Sequence, residues 1–183
     1  MTSHRSQKAV LDYNRLSFMI IFCVIMYNEY VAYFSAYLSW PSLERRKTSM
    51  NLLLVADPQI QGANDANNVF LGMIYRWDSD RYLSKTFSWA KYAYAPDAVV
   101  FLGDLMDEGS TSTDEQYQGY MKRFKGIYDV KAVKIYVAGD NDIGGEGADP
   151  VTQDKIKRFT RNFPSRANFL FQLNGDKVIQ RYE

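Results

Sequence analysis

Three short apolar runs follow residue 50, the third of them interrupted by Lys134, and a polar residue comes soon after each run. They cover residues 52–56, 98–102 and 133–138. Runs of this length, rich in Val, Leu and Ile and bounded by Gly or Pro, are typical of strands that are buried on both faces. The pattern therefore predicts three central strands.

Helical patterns fill the segments beside these runs. Apolar residues recur every three or four positions in residues 80–94 and 113–128, as in a helix with one buried face. Thr113 and Gln116 have the spacing of a capping box, which predicts the start of the second helix. Residues 151–163 predict a third helix. Because strands and helices alternate, the chain is expected to be an α/β protein with a largely parallel central sheet.

Two more segments with strand patterns come after the third predicted helix. Residues 168–173 and 177–182 predict two strands, and Asn174-Gly175 between them is a strong signal for a hairpin turn. The sequence contains no internal repeat and no low-complexity segment.

The most apolar part of the chain is residues 17–40, which is long enough to cross a hydrocarbon core of ~30 Å. Trp40 and several tyrosines at its far end resemble an interfacial belt, whereas Asn28 and Glu29 near its middle are costly at that depth. We predict a transmembrane signal anchor. A cleaved signal peptide and a buried helix of a soluble protein are the alternatives.

This prediction divides the chain into four parts: an N-terminal tail (1–16), the anchor (17–40), a linker (41–50) and an α/β domain (51–183). Both flanks of the anchor carry an excess of basic side chains. The distribution of charge therefore does not orient the anchor in a membrane.

Composition excludes several classes of site and partner. With 22 basic and 21 acidic residues, the net charge of +1 gives no reason to expect a nucleic-acid partner. The single cysteine, Cys23, excludes an internal disulfide and a cysteine-based zinc site. The single histidine, His4, lies in a polar segment, although most hydrolytic metal sites use several histidines.

An aspartate follows each predicted central strand, namely Asp57, Asp104 and Asp140. Ligands of open α/β sheets gather beyond the carboxyl ends of the strands, and three carboxylates there would repel one another without a cation between them. Each aspartate alone could equally be a turn or helix-cap residue. Together they predict a metal centre, in which Asp104 is the candidate to bridge two ions ~3.5–4 Å apart.

The sequences around these aspartates resemble the motifs of the calcineurin-like metallophosphoesterases. That family has D-x-H, then G-D-x-x-D, then G-N-H-D or G-N-H-E at successive strand ends, followed by later histidines. The corresponding residues here read DPQ, GDLMD and GDND, at 57–59, 103–107 and 139–142. The stretches ADPQI (56–60) and WDSDRYL (77–83) further resemble a membrane-anchored subgroup, which removes ethanolamine phosphate from a mannose of the glycosylphosphatidylinositol (GPI) anchor.

The resemblance implies a role for each metal-binding position. Asp57 matches the first metal-binding aspartate, and Asp104 matches the bridging one. Gln59 stands where the family has a metal-binding histidine, and Asp140 stands where it usually has an asparagine ligand. An amide oxygen binds a hard cation more weakly than imidazole binds a transition metal.

The third motif also implies two catalytic positions. Asn141 stands where the family has the histidine that assists the leaving group, and Asp142 matches the acidic residue that orients this histidine. Asparagine cannot be a general acid, but it can donate a hydrogen bond to a phosphate oxygen. In a second possible alignment, Asn141 is the metal ligand between Asp140 and Asp142.

Three further acidic residues lie near the motifs. Asp107 is expected to support the metal loop without binding metal. Glu108 and Glu146 are expected to be solvated or capping groups.

The family's fold is an α/β sandwich, and the resemblance implies that this chain carries its N-terminal half after a transmembrane helix. Because the family's later ligands are histidines and none follows His4, we expect a fragment, an alternative isoform or an incomplete gene model with little or no activity. Two divalent metal ions are implied, with the second position incomplete, and the oxygen-rich donors favour manganese.

The leading interpretation is a metal-dependent phosphodiesterase of GPI anchors. Its substrates would be GPI-anchored proteins, whose transport from the ER to the Golgi it would support. Its expected location is the membrane of the early secretory pathway (ER exit sites, ER–Golgi intermediate compartment and Golgi), with the catalytic domain in the lumen. The alternatives are a phosphoesterase for another substrate and an inactive, membrane-tethered pseudo-phosphoesterase.

Overall fold

A computed structural model describes residues 2–43, 49–64, 69–164, 170–173 and 176–179. The chain divides into two compact units, Met1–Ser42 and Leu43–Glu183. Half of the predicted linker, at 44–48, lies outside the described residues, as do the predicted turn at 174–175 and the ends of the last two predicted strands, at 168–169 and 180–182.

The first unit is helical from Thr2 onward. Helix α1 (Thr2–Met26) continues through a π-helical turn (Tyr27–Val31) into α2 (Ala32–Ser39), so the predicted tail and anchor form one helical run. Within it, Asp12–Ser39 is long and apolar enough to cross a membrane, although a signal sequence near the N-terminus would have the same properties.

Asn28, one of the two polar residues that weaken the membrane prediction, has its side chain bound within this helix. Its amide nitrogen donates a hydrogen bond to the backbone carbonyl of Val24 at 2.9 Å. A polar group that is bonded within its own helix costs less in hydrocarbon than an unbonded one. Asn28 is therefore compatible with a membrane-spanning helix.

The second unit is an α/β domain. Its elements are β1 (Leu52–Val55), α3 (Val69–Tyr94), β2 (Ala98–Leu102), α4 (Asp114–Ile127), β3 (Val133–Val137), α5 (Asp140–Ile143), α6 (Gln153–Asn162), β4 (Leu170–Leu173) and β5 (Asp176–Ile179). Strands β1, β2 and β3 form a parallel sheet in that order, and β4 pairs with β5 antiparallel. The predicted class, the parallel sheet and the last pair of strands are confirmed. The two-layer sandwich stays a prediction.

Helix α4 begins where the capping box predicted. Thr113 accepts a hydrogen bond from the backbone N–H of Gln116, whose side chain accepts one from the backbone N–H of Thr113. Helix α3, however, starts at Val69 and not at residue 80. In its first part, apolar residues occupy most positions instead of recurring every three or four positions, which is the pattern on which the prediction relied.

The core lies on one face of the sheet. Alternate residues of the three strands lie on this face, namely Leu53, Val55, Val99, Phe101 and Tyr136. They belong to a cluster that includes buried side chains of α3, α4 and α6. This face anchors the sheet to the helices.

The opposite face of the sheet contradicts the expected burial on both sides. This second face carries four apolar residues that are between 38% and 59% exposed, namely Leu52, Leu54, Leu102 and Val133. The prediction of double burial was therefore wrong for β1 and β3. The aromatic side chains of the helices gather on the other face, and of the three strands in this sheet only β2, in the middle, is mostly buried.

Candidate metal centre

The three aspartates lie on the loops that follow β1, β2 and β3. Parallel strands place these loops at one edge of the sheet. Asp57 and Asp104 each come two residues after a strand, and Asp140 opens α5. The topology therefore brings all three to the same edge, as the sequence pattern predicted.

Backbone hydrogen bonds join the first loop to the second. The N–H of Gln59 donates to the carbonyl of Asp104 at 2.9 Å, and the N–H of Ile60 donates to the carbonyl of Leu105 at 3.0 Å. The N–H of Asp107 donates in turn to the carbonyl of Ile60 at 3.1 Å. These bonds fix Asp57 and Gln59 relative to Asp104, and they give Asp107 a supporting position.

The third loop is joined to the second through the side chain of Asp104. Its Oδ1 accepts a hydrogen bond from the backbone N–H of Asn141 at 3.0 Å. The carbonyl of Asn141 accepts one from the N–H of Ser110 at 2.7 Å. Asn141 is half-buried and is held at both backbone groups, so its position is set by the second loop.

Asp142 is the buried partner of the second loop. It is 1% exposed, and its two oxygens accept hydrogen bonds from the backbone N–H groups of Leu105, Met106 and Gly139. Burial raises the pKa of Asp142 to about 6, although these three N–H groups act in the opposite direction. Its role as a catalytic residue stays a prediction, and its observed role is to hold two loops together.

Two glycines allow the second and third loops to approach. A Cβ on Gly139 would lie 2.1 Å from Oδ1 of Asp104 and 2.5 Å from its backbone nitrogen, closer than non-bonded atoms can approach. Gly103 has φ +96°, and a Cβ there would meet the backbone of Gly139 at 3.2 Å. Side chains at these positions would push the loops apart.

Three of the candidate ligand residues have an unusual backbone conformation. Asp57, Gln59 and Asp104 have φ values of 52°, 34° and 49°, and in the described chain only Ala95 joins them as a non-glycine residue with positive φ. Such conformations cost about 1–3 kcal/mol each and tend to cluster at functional sites. The hydrogen bonds between the loops help to maintain them here.

The carboxyl group of Asp104 lies in an acidic environment. Burial raises its pKa, as do the negative charges of Asp140 and Asp57, whereas the hydrogen bond from the N–H of Asn141 lowers it. A cation would relieve this repulsion. Asp104 is therefore electrostatically central among the three aspartates, as its predicted bridging role requires.

A fourth carboxyl group, that of Glu146, joins this cluster, although the sequence indicated only a solvated or capping group there. Glu146 is exposed, and a hydrogen bond with the carboxyl of Asp140 raises its pKa, with a further contribution from the charge of Asp140. It lies in the glycine-rich loop after α5, six residues beyond Asp140. No motif marks it, and only the fold of that loop brings it to the site.

Glu108 was expected to be a solvated or capping group, and it is not solvated. It is 8% exposed and accepts hydrogen bonds from the backbone N–H groups of Ala63 and Asn64 at 3.2 and 2.9 Å. It also accepts bonds from the Asn64 side chain and the Tyr120 hydroxyl. The fold places Glu108 beneath the chain that leaves the first metal loop, so it anchors that segment.

Arg123 holds the same segment from α4. Its guanidinium donates to both carboxylate oxygens of Asp80 at 2.6 and 2.7 Å, and to the carbonyl of Gln61 at 2.7 Å. Asp80 belongs to the WDSDRYL stretch. This part of the stretch therefore connects α3, α4 and the first loop.

The donor atoms fit a hard divalent cation. Asp57, Asp104 and Asp140 offer carboxylate oxygens and Gln59 offers an amide oxygen, which are the donors that magnesium or manganese accepts. Among the described side chains, however, no three His, Cys, Asp or Glu residues form a group that could hold a metal ion. The donor atoms of the site thus suit one divalent ion, but the carboxylates are not grouped closely enough to surround it.

Comparisons with known proteins agree with the geometry. A model of the family described as calcineurin-like phosphoesterase matches residues 50–181. The chain is 31% identical over 171 residues to metallophosphoesterase 1 of Danio rerio, covering 88% of this chain and 43% of that protein.

Two further relatives show the same pattern. The metallophosphoesterase 1 homolog of Drosophila melanogaster is 31% identical over 134 residues, which are 69% of this chain and 35% of the fly protein. The mouse (Mus musculus) metallophosphoesterase 1 is 25% identical over 172 residues, which are 88% of this chain and 41% of the mouse protein. The chain thus spans less than half the length of these curated relatives.

Proposed function

This chain belongs to the calcineurin-like phosphoesterase family, a family of phosphoric ester hydrolases, and we propose that it contributes the first part of the metal centre of a membrane-anchored phosphodiesterase. The observation that carries this proposal is the position of Asp104. Its side chain binds the third loop, its carbonyl binds the first, and its carboxyl is influenced by the charges of Asp57 and Asp140.

We propose ethanolamine phosphate on a GPI-anchor mannose as the substrate group, carried by GPI-anchored proteins. Two sequence features support this choice, namely the ADPQI and WDSDRYL stretches, and so does the similarity to proteins named metallophosphoesterase 1. The apolar helix Asp12–Ser39 would be the membrane anchor. The proposed location is the early secretory pathway, from ER exit sites to the Golgi, with the domain in the lumen.

In this function, the metal would be held by Asp57, Asp104, Asp140 and Gln59. Two divalent ions, with manganese favoured by the oxygen donors, would supply Lewis-acid chemistry for hydrolysis of the phosphodiester. Asn141 would donate a side-chain hydrogen bond to a phosphate oxygen. Asp142 would keep Asn141 and Asp104 in register through its bonds to the second loop.

Binding of Mn²⁺ to the full chain in detergent micelles tests the proposed metal centre. Isothermal titration should show binding by the parent protein, and Asp104→Asn should weaken it by about tenfold or more, because a central negative charge is lost. Asp154→Asn is the control, since Asp154 is an exposed residue of α6. Equal affinity of the parent and Asp104→Asn would contradict the assignment.

The substrate requires a separate test in cells. Loss of the gene should leave additional ethanolamine phosphate on GPI anchors, detected by mass spectrometry of the released glycan, and should slow export of GPI-anchored proteins from the ER. Anchors of normal composition would contradict the proposed substrate, but this result would not bear on the proposed metal centre.

A second candidate function is an inactive, membrane-tethered pseudo-phosphoesterase. The observation that favours it is the presence of Gln59 and Asn141 where the family has histidines. The two proposals differ in metal stoichiometry. Two tightly bound ions per chain support an enzyme, and none supports a protein that acts by binding.

A further inference from the structure

The first turns of α3 have the reverse of the usual amphipathic arrangement. Seven large apolar residues within positions 69–77 are between 42% and 78% exposed. They are Val69, Phe70, Leu71, Met73, Ile74, Tyr75 and Trp77. Helices on protein surfaces normally direct such residues inward and polar residues toward water. We call residues 69–77 the apolar turns of α3.

The inward positions of this part of the helix are small or polar. Gly72 is buried, and Arg76 and Asp80 are half-buried. Arg76 donates a hydrogen bond to the carbonyl of Gly62 at 3.4 Å, and Asp80 forms the two-bond pair with Arg123. A rotation that buried Ile74 or Trp77 would break these contacts. The polar contacts therefore fix the helix with its apolar residues outward.

An exposed apolar patch of this kind marks a surface that meets another apolar phase. Two observations indicate that this phase is lipid. Trp and Tyr mixed with Ile, Leu and Val are the residues that enter the boundary between headgroups and acyl chains. The guanidinium of Arg81, which pairs with Asp78 at 2.7 Å, also lies 5.2 Å from the ring centre of Trp77, so polar groups border the aromatic ring, as they do where a side chain lies at the boundary between headgroups and acyl chains.

The position of the apolar helix in the sequence is the third indication. Only residues 40–51 separate the end of α2 from the start of β1, and a segment of that length reaches at most about 40 Å. If Asp12–Ser39 spans a membrane, the α/β domain is confined near the lipid surface. A patch of lipid-compatible residues on such a domain has a membrane within reach.

We infer that the apolar turns of α3 insert into the membrane interface, with Ile74 and Trp77 at the level of the acyl-chain boundary. This inference rests on the proposed membrane anchor. It adds a second attachment to the bilayer, on the α/β domain itself. The attachment would act beside the first loop, because Arg76 and Asp80 connect the apolar turns to residues 61–62.

Single-tryptophan proteins test this inference, because the chain has three tryptophans, at Trp40, Trp77 and Trp89. The full chain carrying only one of them, with Phe at the other two positions, is reconstituted into phosphatidylcholine and phosphatidylserine vesicles that contain brominated acyl chains. Trp77 should be quenched about twofold more strongly than Trp89, which lies about 18 Å farther along the same helix. Equal quenching of Trp77 and Trp89 would overturn the inference.

The Trp40 protein separates this inference from the proposed anchor. Quenching of Trp40 without quenching of Trp77 supports the anchor and rejects the second attachment. A charge provides an independent test: Ile74→Glu should reduce the quenching of Trp77, whereas Val151→Glu, at an exposed apolar residue outside α3, should leave it unchanged. If another protein covers the apolar turns, lipid quenching of Trp77 will be absent, which also rejects the inference.

Discussion

The carboxylate of Asp142 accepts hydrogen bonds from the backbone N–H of Leu105 with both of its oxygens, at 3.0 and 3.1 Å. The two residues are 37 positions apart in the chain. Further bonds from Met106 and Gly139 complete the set. A residue of the third motif therefore determines the shape of the second loop, which carries Asp104.

Substitution of Asp142 by Asn should lower the free energy of unfolding by about 2–3 kcal/mol, because an amide has one acceptor oxygen and adds two donors that would face N–H groups. Urea unfolding of the full chain in micelles, followed by near-ultraviolet circular dichroism, measures this change. Asp154→Asn serves as the control and should have little effect. An unchanged midpoint for Asp142→Asn would show that these bonds do not stabilise the fold.

Substitution of Gly139 by Ala should destabilise the domain and weaken Mn²⁺ binding, because the new Cβ would collide with Asp104. We expect a loss of about 1–3 kcal/mol or more, typical of overpacking. Gly119→Ala is the matched control: a Cβ there meets nothing within 4 Å, and α4 should gain about 0.5–1 kcal/mol. Equal effects of the two substitutions on the urea midpoint would contradict the close approach of the loops.

Two tyrosines three residues apart on α4 should respond in opposite directions to removal of their hydroxyls. The buried hydroxyl of Tyr117 has no hydrogen-bond partner among the described residues, so Tyr117→Phe should stabilise the fold by up to about 1 kcal/mol. The Tyr120 hydroxyl bonds Glu108 and the N–H of Ala63, both at 2.9 Å. Tyr120→Phe should therefore destabilise by about 1–2 kcal/mol. The measurement is the melting temperature of each variant, and a shift in the same direction for both variants would refute this prediction.

Alkaline pH should unfold the domain through its buried tyrosines. Burial raises the pKa of Tyr136 to about 12 and raises the pKa of Tyr117 and Tyr128 well above the usual range. Below pH ~10 both folded and unfolded chains keep these protons, so stability is unaffected. Above it the unfolded chain loses protons first, and each tyrosine lowers stability by about 1.4 kcal/mol per pH unit until its folded-state pKa is reached.

Phenolate absorbance at 295 nm against pH checks this alkaline transition. Some of the 14 tyrosines should titrate near pH ~10, and the buried ones should ionise only as the circular dichroism is lost. In the Tyr136→Phe variant, the free energy of unfolding should fall less steeply with pH between pH ~10 and the folded-state pKa of Tyr136. A single titration of all tyrosines with the fold intact would be the contrary result.

Local sequence patterns predicted the features that depend on neighbouring residues. The capping box at Thr113 and the bounds of β2 follow from short-range chemistry, and the structure has them. The meeting of Asp57, Asp104 and Asp140 at one edge follows from three parallel strands. These parts of the site could be foreseen because each needs only a local pattern and a topology.

The features that escaped prediction depend on contacts between distant segments. Glu108 is buried because residues 63–64 fold onto it, at a separation of 44 to 45 positions. Helix α3 begins at Val69, and its apolar residues face outward because Asp80, on its inward side, pairs with Arg123, 43 positions away. Neither the charge of Glu108 nor the composition of residues 69–77 indicates these partners.

The order of the strands in the sheet is also the order of their synthesis. As the chain leaves the ribosome, β1 is available when β2 emerges, and β2 is available when β3 emerges, so each strand can pair with its predecessor without waiting for a distant segment. Such sequential pairing keeps the separation between partners short, which favours rapid folding. Asp140 follows the last of these three strands, so it is the last of the three aspartates to be made. Nascent chains that end before β3 would lack both Asp140 and the Asp142 bonds, so the three aspartates can come together only after β3 has been synthesised.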